Sequence, residues 1–133
     1  IDWSAERLRI ESTETSSRLN MVSVDRPVAQ LSGGNVQRVM LTRAFCAEGL
    51  TLLVAAYPSR GLDVASVHAT HELLLEARAS GVGILMVSED LDELVAVADR
   101  ILVLHDGEVA GIVEAATADR SALGSVMVDG VAA

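Results

Sequence analysis

The amino-acid sequence predicts an α/β fold in which mostly parallel strands alternate with crossover helices and a β-hairpin comes last. Two short apolar runs, at residues 50–56 and 83–87, have the length and composition of strands buried on both faces of a sheet. A helical pattern at residues 64–79 separates them, and parallel strands need such a crossover. The dipeptide Asp106-Gly107 between two further apolar runs favours a tight hairpin turn.

The first half of the chain contains one weak and one strong helical pattern. The weak pattern spans residues 3–20. The strong one spans residues 35–47, where apolar residues recur at helical spacing: Val36, Val39, Met40, Leu41, Ala44 and Phe45. The strand at residues 50–56 follows and ends at Tyr57-Pro58. We therefore expect a well-formed helix followed directly by a buried strand.

The second half continues the alternation of helix and strand. The helix at residues 64–79 ends at Ser80-Gly81, and the strand at residues 83–87 comes next. Asp90, with Glu93 three residues later, has the capping-box pattern of a helix start. That helix should end near residue 98, and the hairpin should occupy residues 101–113. The last twenty residues are weakly patterned.

The composition allows one domain with a single core and disfavours several functions. Half of the 133 residues are hydrophobic but only 2 % are aromatic, so base stacking on RNA or single-stranded DNA has almost no side chains to use. The net charge is −9, and residues 61–133 hold three Arg against thirteen acidic residues, which disfavours binding to DNA or anionic lipid. No apolar run in the sequence reaches the roughly 18 residues that span a bilayer.

The number of cysteines bears on the cellular compartment, and the types of basic residue bear on phosphate binding. Cys46 is the single cysteine; it cannot form an internal disulfide, fits a reducing compartment and is typical of a buried small hydrophobe. Cytoplasm is therefore the expected location. All ten basic residues are Arg. Because a phosphate-binding P-loop needs a Lys to reach the terminal phosphates, this sequence contains no such loop.

The strongest candidate for chemistry is the tetrapeptide Leu31-Ser32-Gly33-Gly34, which directly precedes the helix at residues 35–47. Consecutive glycines let another molecule approach the backbone, and Ser32 offers a hydroxyl group. The first turn of a helix adds unpaired N–H groups at its positive end. Together these groups indicate an anion site. Because Ser-Gly-Gly also occurs in ordinary loops, the motifs around it decide the interpretation.

The order of motifs resembles the ATP-binding domain of ABC transporters. LSGGNVQR at residues 31–38 resembles the signature motif of that family, and PSRGLD at residues 58–63 resembles the segment that ends in its D-loop. VSEDLDELVAVADRILVLHDGE at residues 87–108 resembles the switch segment and the hairpin that follows it. Asn35 after the glycines and Arg60 before Gly61 are most similar to the residues at these positions in importers of simple sugars or nucleosides. In those importers, two ATP-binding domains share one polypeptide. The chain is similar to the C-terminal part of the second of those domains.

This resemblance implies a partial ABC domain of the P-loop NTPase type. Residues 1–30 would be a remnant of a helical subdomain and a loop, residues 31–113 the part from signature to switch, and residues 114–133 a C-terminal tail. The signature residues that would contact ATP in trans are Leu31, Ser32, Gly33, Gly34, Asn35 and Gln37. The residues of the D-loop would be Gly61, Leu62 and Asp63.

Three positions depart from the family's pattern. Ala56 and Tyr57 stand where the family has the Asp that orders Mg²⁺ and the Glu that polarises the attacking water. Glu89 stands where the family has the switch His, and an ionised carboxylate cannot donate a hydrogen bond to the γ-phosphate. We therefore expect a degenerate Walker B and switch site. The chain alone should contain no catalytic residue or metal ligand and should not hydrolyse ATP.

The resemblance also implies cofactors and partners. In this family, each ATP lies between the phosphate loop of one domain and the signature loop of another, so the signature loop would complete the site of a second ATP-binding domain. Transmembrane permease subunits would hold the protein at the inner face of the cell membrane, without direct membrane contact. ATP and Mg²⁺ belong to the full assembly, and we expect neither to bind this chain tightly.

Two other classes of function stay open from the sequence. A soluble ABC-type ATPase is the first, and both the pair Ala56-Tyr57 and the negative charge argue against it. A non-catalytic interaction module is the second. An apolar patch left without its natural packing partner would also make an isolated chain self-associate.

Several residues have an ordinary interpretation beside a functional one. His68 and His71 lie three apart on a predicted helix without a third ligand nearby, which favours surface or packing roles over zinc binding. The acidic cluster at residues 90–93 favours helix capping over Mg²⁺ binding. Glu89 is an alternative general base, and Tyr57 is equally well interpreted as a side chain that fills space.

Overall fold

The computed structural model describes residues 2–11, 18–20 and 25–130. The chain divides into two compact units, Ile1–Val87 and Ser88–Ala133. This division by compactness differs from the predicted functional boundaries after residues 30 and 113, which stay predictions. Among the described helices, none combines the length and the apolarity that a membrane crossing requires.

The described residues of the first unit include a two-stranded parallel sheet and the α-helices α1 to α3. Its elements in chain order are α1 (Trp3–Glu11), a 3-10 helix (Val28–Gln30), α2 (Gly33–Phe45), β1 (Leu52–Ala56), α3 (Val64–Ala79) and β2 (Gly83–Val87). The strands β1 and β2 pair in parallel, with Leu52 opposite Gly83 and Ala56 opposite Val87. The predicted β1–α3–β2 crossover is thus confirmed. The bounds of α3 and β2 are those that the sequence predicted.

The core of this unit lies between α2 and α3. Its buried members are Leu19, Leu41, Ala69 and Leu73, with Phe45 and Leu62 packed against them. Hydrogen bonds from Arg18 link residues 18–20 to α3: its guanidinium donates to Glu76 at 2.7 Å and to Glu72 at 2.8 Å. The bond to Glu76 makes the largest contribution, and the two bonds together raise the pKa of Arg18 above its ordinary value. Both glutamates are mostly exposed, so the pairs stabilise the unit by roughly 1 kcal/mol or less each.

The two faces of the parallel sheet differ. Leu53 is buried, at 8 % exposure, whereas four apolar side chains on the other face are exposed by about half or more: Leu52, Val54, Leu85 and Val87. The expectation of strands buried on both faces is therefore wrong for one face. The physical reason is that none of the described residues covers it, although parallel sheets are normally covered on both sides.

The second unit is a hairpin with helices packed against it. Its elements are α4 (Leu91–Val97), β3 (Arg100–His105), β4 (Glu108–Glu114), a 3-10 helix (Ala115–Thr117) and α5 (Arg120–Asp129). Its core consists of five buried side chains: Ile101, Val103, Ala115, Leu123 and Val126. At the turn, Asp106 has φ 47° and Gly107 has φ 82°, the left-handed pair that a two-residue hairpin loop requires. The predicted hairpin is confirmed.

Two details of this unit differ from the sequence analysis. The side chain of Asp90 caps α4 as predicted, but the backbone N–H of Asp90 donates to the Ser88 hydroxyl at 3.0 Å, and that hydroxyl in turn donates to the Glu93 carboxylate at 2.6 Å. The helix α5 was not predicted and lies in the segment that we expected to be a tail. Asp119 caps its first turn, and the left-handed Gly130 follows its last residue.

Candidate functional site

The loop that precedes α2 is held by a serine cap. Ser32 has extended backbone angles, φ −66° and ψ 160°, and its Oγ accepts from the backbone N–H of Asn35 at 3.4 Å. The carbonyl group of Ser32 accepts the first helical bond, from Val36 at 3.0 Å. The helix therefore begins at Gly33, two residues earlier than the apolar pattern indicated, because glycines carry no periodic signal.

This loop is accessible to another molecule. Ser32 and Gly33 are exposed, and Gly34 is half-buried. A side chain at Gly33 would meet no atom within 4 Å. Helix geometry leaves the amides of the first turn without intrahelical acceptors, and the helix dipole makes this end positive. The hydroxyl group of Ser32 and the start of α2 are therefore accessible, and the anion site predicted from the sequence stays a prediction.

The second glycine has a different environment. A Cβ atom at Gly34 would lie 2.5 Å from the carbonyl oxygen of Gly61, well inside van der Waals contact. Gly61 itself has φ +78°, a backbone conformation that glycine adopts most easily. Gly34 and Gly61 are therefore the point at which the backbones of the predicted signature loop and the predicted D-loop contact each other.

Two side chains of α2 extend these contacts. The Nε2 group of Gln37 donates to the carbonyl oxygen of Pro58 at 2.9 Å and to that of Tyr57 at 3.2 Å. The guanidinium of Arg38 donates to the carboxylate of Asp63, to Ser66 Oγ at 3.0 Å and to Asn35 Oδ1 at 3.1 Å. Arg38 was not among the predicted site residues. Its position beside Gln37 within LSGGNVQR was the signal that could have identified it.

The predicted D-loop, Gly61–Asp63, leads into α3. Leu62 packs against the core of the first unit, and Asp63 caps α3 by accepting from the backbone N–H of Ser66 at 2.9 Å. That backbone hydrogen bond is the main reason why the pKa of Asp63 lies below its ordinary value of 3.8. Bonds from the Ser66 hydroxyl and attraction to Arg38 lower it further.

The backbone at the end of β1 is hydrogen-bonded, and the side chains there carry no carboxylate. Tyr57 has φ 52°, its N–H donates to the carbonyl oxygen of Val87 at 2.7 Å, and its carbonyl oxygen accepts from the N–H of Arg60 at 3.2 Å. The guanidinium of Arg60 lies 5.8 Å from the centre of the Tyr57 ring. Neither Ala56 nor Tyr57 carries a carboxylate, so this position does not suit Mg²⁺, whose usual ligands are oxygen anions.

The remaining candidates belong to other parts of the chain. Glu89 belongs to the second unit, where it is exposed between Ser88 and the helix cap Asp90. Within residues 2–11, 18–20 and 25–130, no three His, Cys, Asp or Glu side chains form a group that could hold a metal ion. Cys46 is half-buried at the end of α2, so the expectation of a buried cysteine is met only in part.

Comparison with known proteins identifies the family. No protein-family model matches the chain. The nucleoside import ATP-binding protein NupA of Lactococcus lactis subsp. cremoris is 41 % identical over 102 residues, which are 77 % of this chain and 20 % of that protein. The glucose import ATP-binding protein TsgD13 of Haloferax volcanii is 41 % identical over 106 residues, 80 % of this chain and 19 % of that protein. This chain belongs to the family of ABC transporter ATP-binding proteins, and the two relatives named here are import proteins for nucleosides and for glucose.

A solved structure agrees with this membership at the level of the fold. The ADP conformation of MJ1267, an ATP-binding cassette of an ABC transporter, matches with a TM-score of 0.59 and 22 % identity. The match covers 86 % of this chain and 44 % of that cassette. The resemblance and fold that the motifs predicted are confirmed. The chain spans about a fifth of the length of the importer proteins that it matches.

Proposed function

We propose that this chain is the signature-bearing part of an importer's second ATP-binding domain, and that its signature loop completes an ATP site whose phosphate loop lies on another domain. The observation that carries the proposal is the exposed start of α2, where Ser32 and Gly33 face open space. The motif order and the relatives named as nucleoside, glucose and ribose import ATP-binding proteins support it.

The chemistry of the loop fits the terminal phosphate of a nucleotide. The bond from the Asn35 N–H uses only a lone pair of the Ser32 hydroxyl oxygen, so the hydroxyl proton can still be donated to an anion. The amides of Gly33 and Gly34 add two further donors at the positive end of α2. Donors that are fixed before the anion arrives cost no reorganisation, so they stabilise charge on the phosphate in the ground state and in the transition state.

The second part of the proposal is that the chain's own nucleotide site does not hydrolyse ATP. Ala56 and Tyr57 supply neither a ligand for Mg²⁺ nor a general base, and Glu89 cannot act as the hydrogen-bond donor that a histidine would be. When present in the assembly, Mg²⁺ neutralises charge on the phosphates. Its ligands would then have to come from other residues.

The proposal includes partners and location. The partners are a second ATP-binding domain and transmembrane permease subunits, and the protein lies on the cytoplasmic face of the membrane through the permease alone. The apolar sheet face formed by Leu52, Val54, Leu85 and Val87 supports packing of further domain residues against β1 and β2.

The test is ATP hydrolysis by the full two-domain protein that contains this chain. Ser32→Arg places a bulky side chain in the proposed phosphate site and should reduce the rate about a hundredfold, as loss of a transition-state donor does. Tyr57→Phe should leave the rate within about a factor of two, because the proposal gives its hydroxyl no role.

Ser80→Arg is the matched control, since it adds the same charge at an exposed helix end. A cation is favourable at the C-terminus of α3, where Ser80 lies. A large loss with Tyr57→Phe and none with Ser32→Arg would overturn the proposal. Full activity of all three variants would favour a non-catalytic interaction module instead.

A further inference from the structure

We propose that Arg38 is a positioning residue that fixes the signature loop (Leu31–Gly34) and the D-loop (Gly61–Asp63) to each other as one rigid element. This inference rests on the proposed function, because it concerns how the signature loop is presented to a nucleotide. It begins with the contact of Gly34 and Gly61, where the two backbones approach so closely that no Cβ atom fits between them.

The guanidinium of Arg38 bridges the two segments. It is 86 % buried, since 14 % of its side chain is exposed, and it donates both to the D-loop residue Asp63 and to Ser66 in the first turn of α3. It also donates to Asn35 in the first turn of α2. One planar group thus joins the starts of two helices, a role that suits the fixed fork of an arginine better than a flexible ammonium group.

Asp63 is shared between two tasks that different oxygens perform. Its Oδ1 accepts from the Ser66 N–H and caps α3, while its Oδ2 accepts from Arg38. The D-loop lies in the turn between β1 and α3, so these side chains set its position relative to α2. A nucleotide that holds Ser32 in place would therefore also hold the D-loop in place.

Substitutions in the full two-domain protein test this inference. Arg38→Met removes the guanidinium that forms the bridge but keeps an unbranched side chain about as long as the aliphatic part of arginine. Asp63→Asn removes the charge that Arg38 binds but keeps an oxygen that can cap α3. Each should raise the KM for ATP about tenfold while kcat at saturating ATP stays close to the parent value, because a misplaced loop lowers the population of the binding-competent state.

The double variant and the conservative variant sharpen the test. If Asp63 acts through Arg38, the double variant should have a KM close to that of Arg38→Met, which already removes the bonds to Asp63, Ser66 and Asn35, and not the product of both effects. Arg38→Lys should lie between parent and Arg38→Met, since an ammonium keeps the charge and loses the fork. Arg43→Met, at an exposed position on α2, and Asp119→Asn, at another helix cap, are the matched controls and should keep the parent KM.

The outcomes separate this inference from the proposed function. A merely structural role of Arg38 would lower kcat with the fraction of folded protein and leave KM unchanged, which would overturn the inference. Multiplying effects in the double variant would overturn it as well. If Ser32→Arg abolishes hydrolysis while Arg38→Met leaves KM unchanged, only the inference fails. If Ser32→Arg has no effect, the proposed function itself fails.

Discussion

The loop before α2 and the end of β1 differ in what their side chains and backbones provide. At the loop, Ser32 caps the helix and a Cβ atom at Gly33 would meet no atom within 4 Å, so the backbone that forms the proposed phosphate site is accessible. At the end of β1, the backbone of Tyr57 is held by bonds to Val87, Arg60 and Gln37, but the side chains of Ala56 and Tyr57 carry no acid.

The difference teaches that the backbone conformation at a site can persist in this fold while the reactive side chains of the site are replaced. The backbone at Tyr57 is constrained by hydrogen bonds that do not involve its side chain, so the identity of that side chain can change while the turn persists. At Gly33 and Gly34 the proposed site takes its donors from the backbone itself, so any added side chain would change that site. A site built from amides is therefore harder to lose by substitution elsewhere than a site built from carboxylates.

The largest expected effect distinguishes the two glycines of the loop. Gly34→Ala should lower the free energy of unfolding by about 2 kcal/mol or more, because its Cβ would lie 2.5 Å from the Gly61 carbonyl oxygen. Gly33→Ala is the control in the same helical turn, and it should change stability by no more than about 0.5 kcal/mol. Urea denaturation of the chain measures both. Equal effects would contradict the assignment of Gly34 to packing.

A smaller effect tests the link between the two regions. Gln37→Ala should lower the free energy of unfolding by about 1 kcal/mol, because the carbonyl groups of Tyr57 and Pro58 lose their side-chain donor. Gln30→Ala, at an exposed position in the first 3-10 helix, should have almost no effect. Urea midpoints compared at one pH report the difference. A stability of Gln37→Ala that matches the control would mean that the contact does not hold β1 to α2.

The smallest effect is a pH dependence that arises from Asp63. Its pKa is lower in the folded chain than the ordinary value of 3.8, so the unfolded chain takes up the proton first as the pH falls. The stabilisation from ionised Asp63 is therefore complete above about pH 5 and is lost as the pH falls below about 3.8 through the lower folded pKa. Asp63→Asn should lose less stability than the parent between about pH 5 and pH 3, as urea midpoints would measure. If the difference in stability between the parent and Asp63→Asn were the same at pH 5 and pH 3, the ionised carboxylate would have no such role.

Much of the fold could be predicted because local patterns agreed with tertiary packing. The helix Val64–Ala79 is bounded by the cap Asp63 and by Ser80-Gly81, signals that are local in sequence. The helix Arg120–Asp129 was missed because its burial depends on Leu123 and Val126 meeting the hairpin, a contact that no local pattern encodes. Its cap Asp119 and the final Gly130 were available signals, but Gly124 and serine weakened the helical pattern between them.

The candidate site shows the same limit. Motif order placed Ser32–Gly34 at the start of a helix, and the structure agrees. The partner of Arg38 could not be predicted, because Asp63 lies 25 residues later and the contact depends on how two loops turn. The exposed face of β1 and β2 was missed for a related reason, since an apolar run indicates a buried strand but does not show what covers each side.

The shared duty of Asp63 limits how this part of the sequence can diverge. Asn keeps the helix cap but gives up the ionic bond, and Glu, one methylene longer, would have to shift away from one of its two contacts. The residue at this position is thus constrained both by the hydrogen bond from Ser66 and by the ionic bond to Arg38. Among related sequences, a change at either basic or acidic member of the pair is expected to be accompanied by a change at the other.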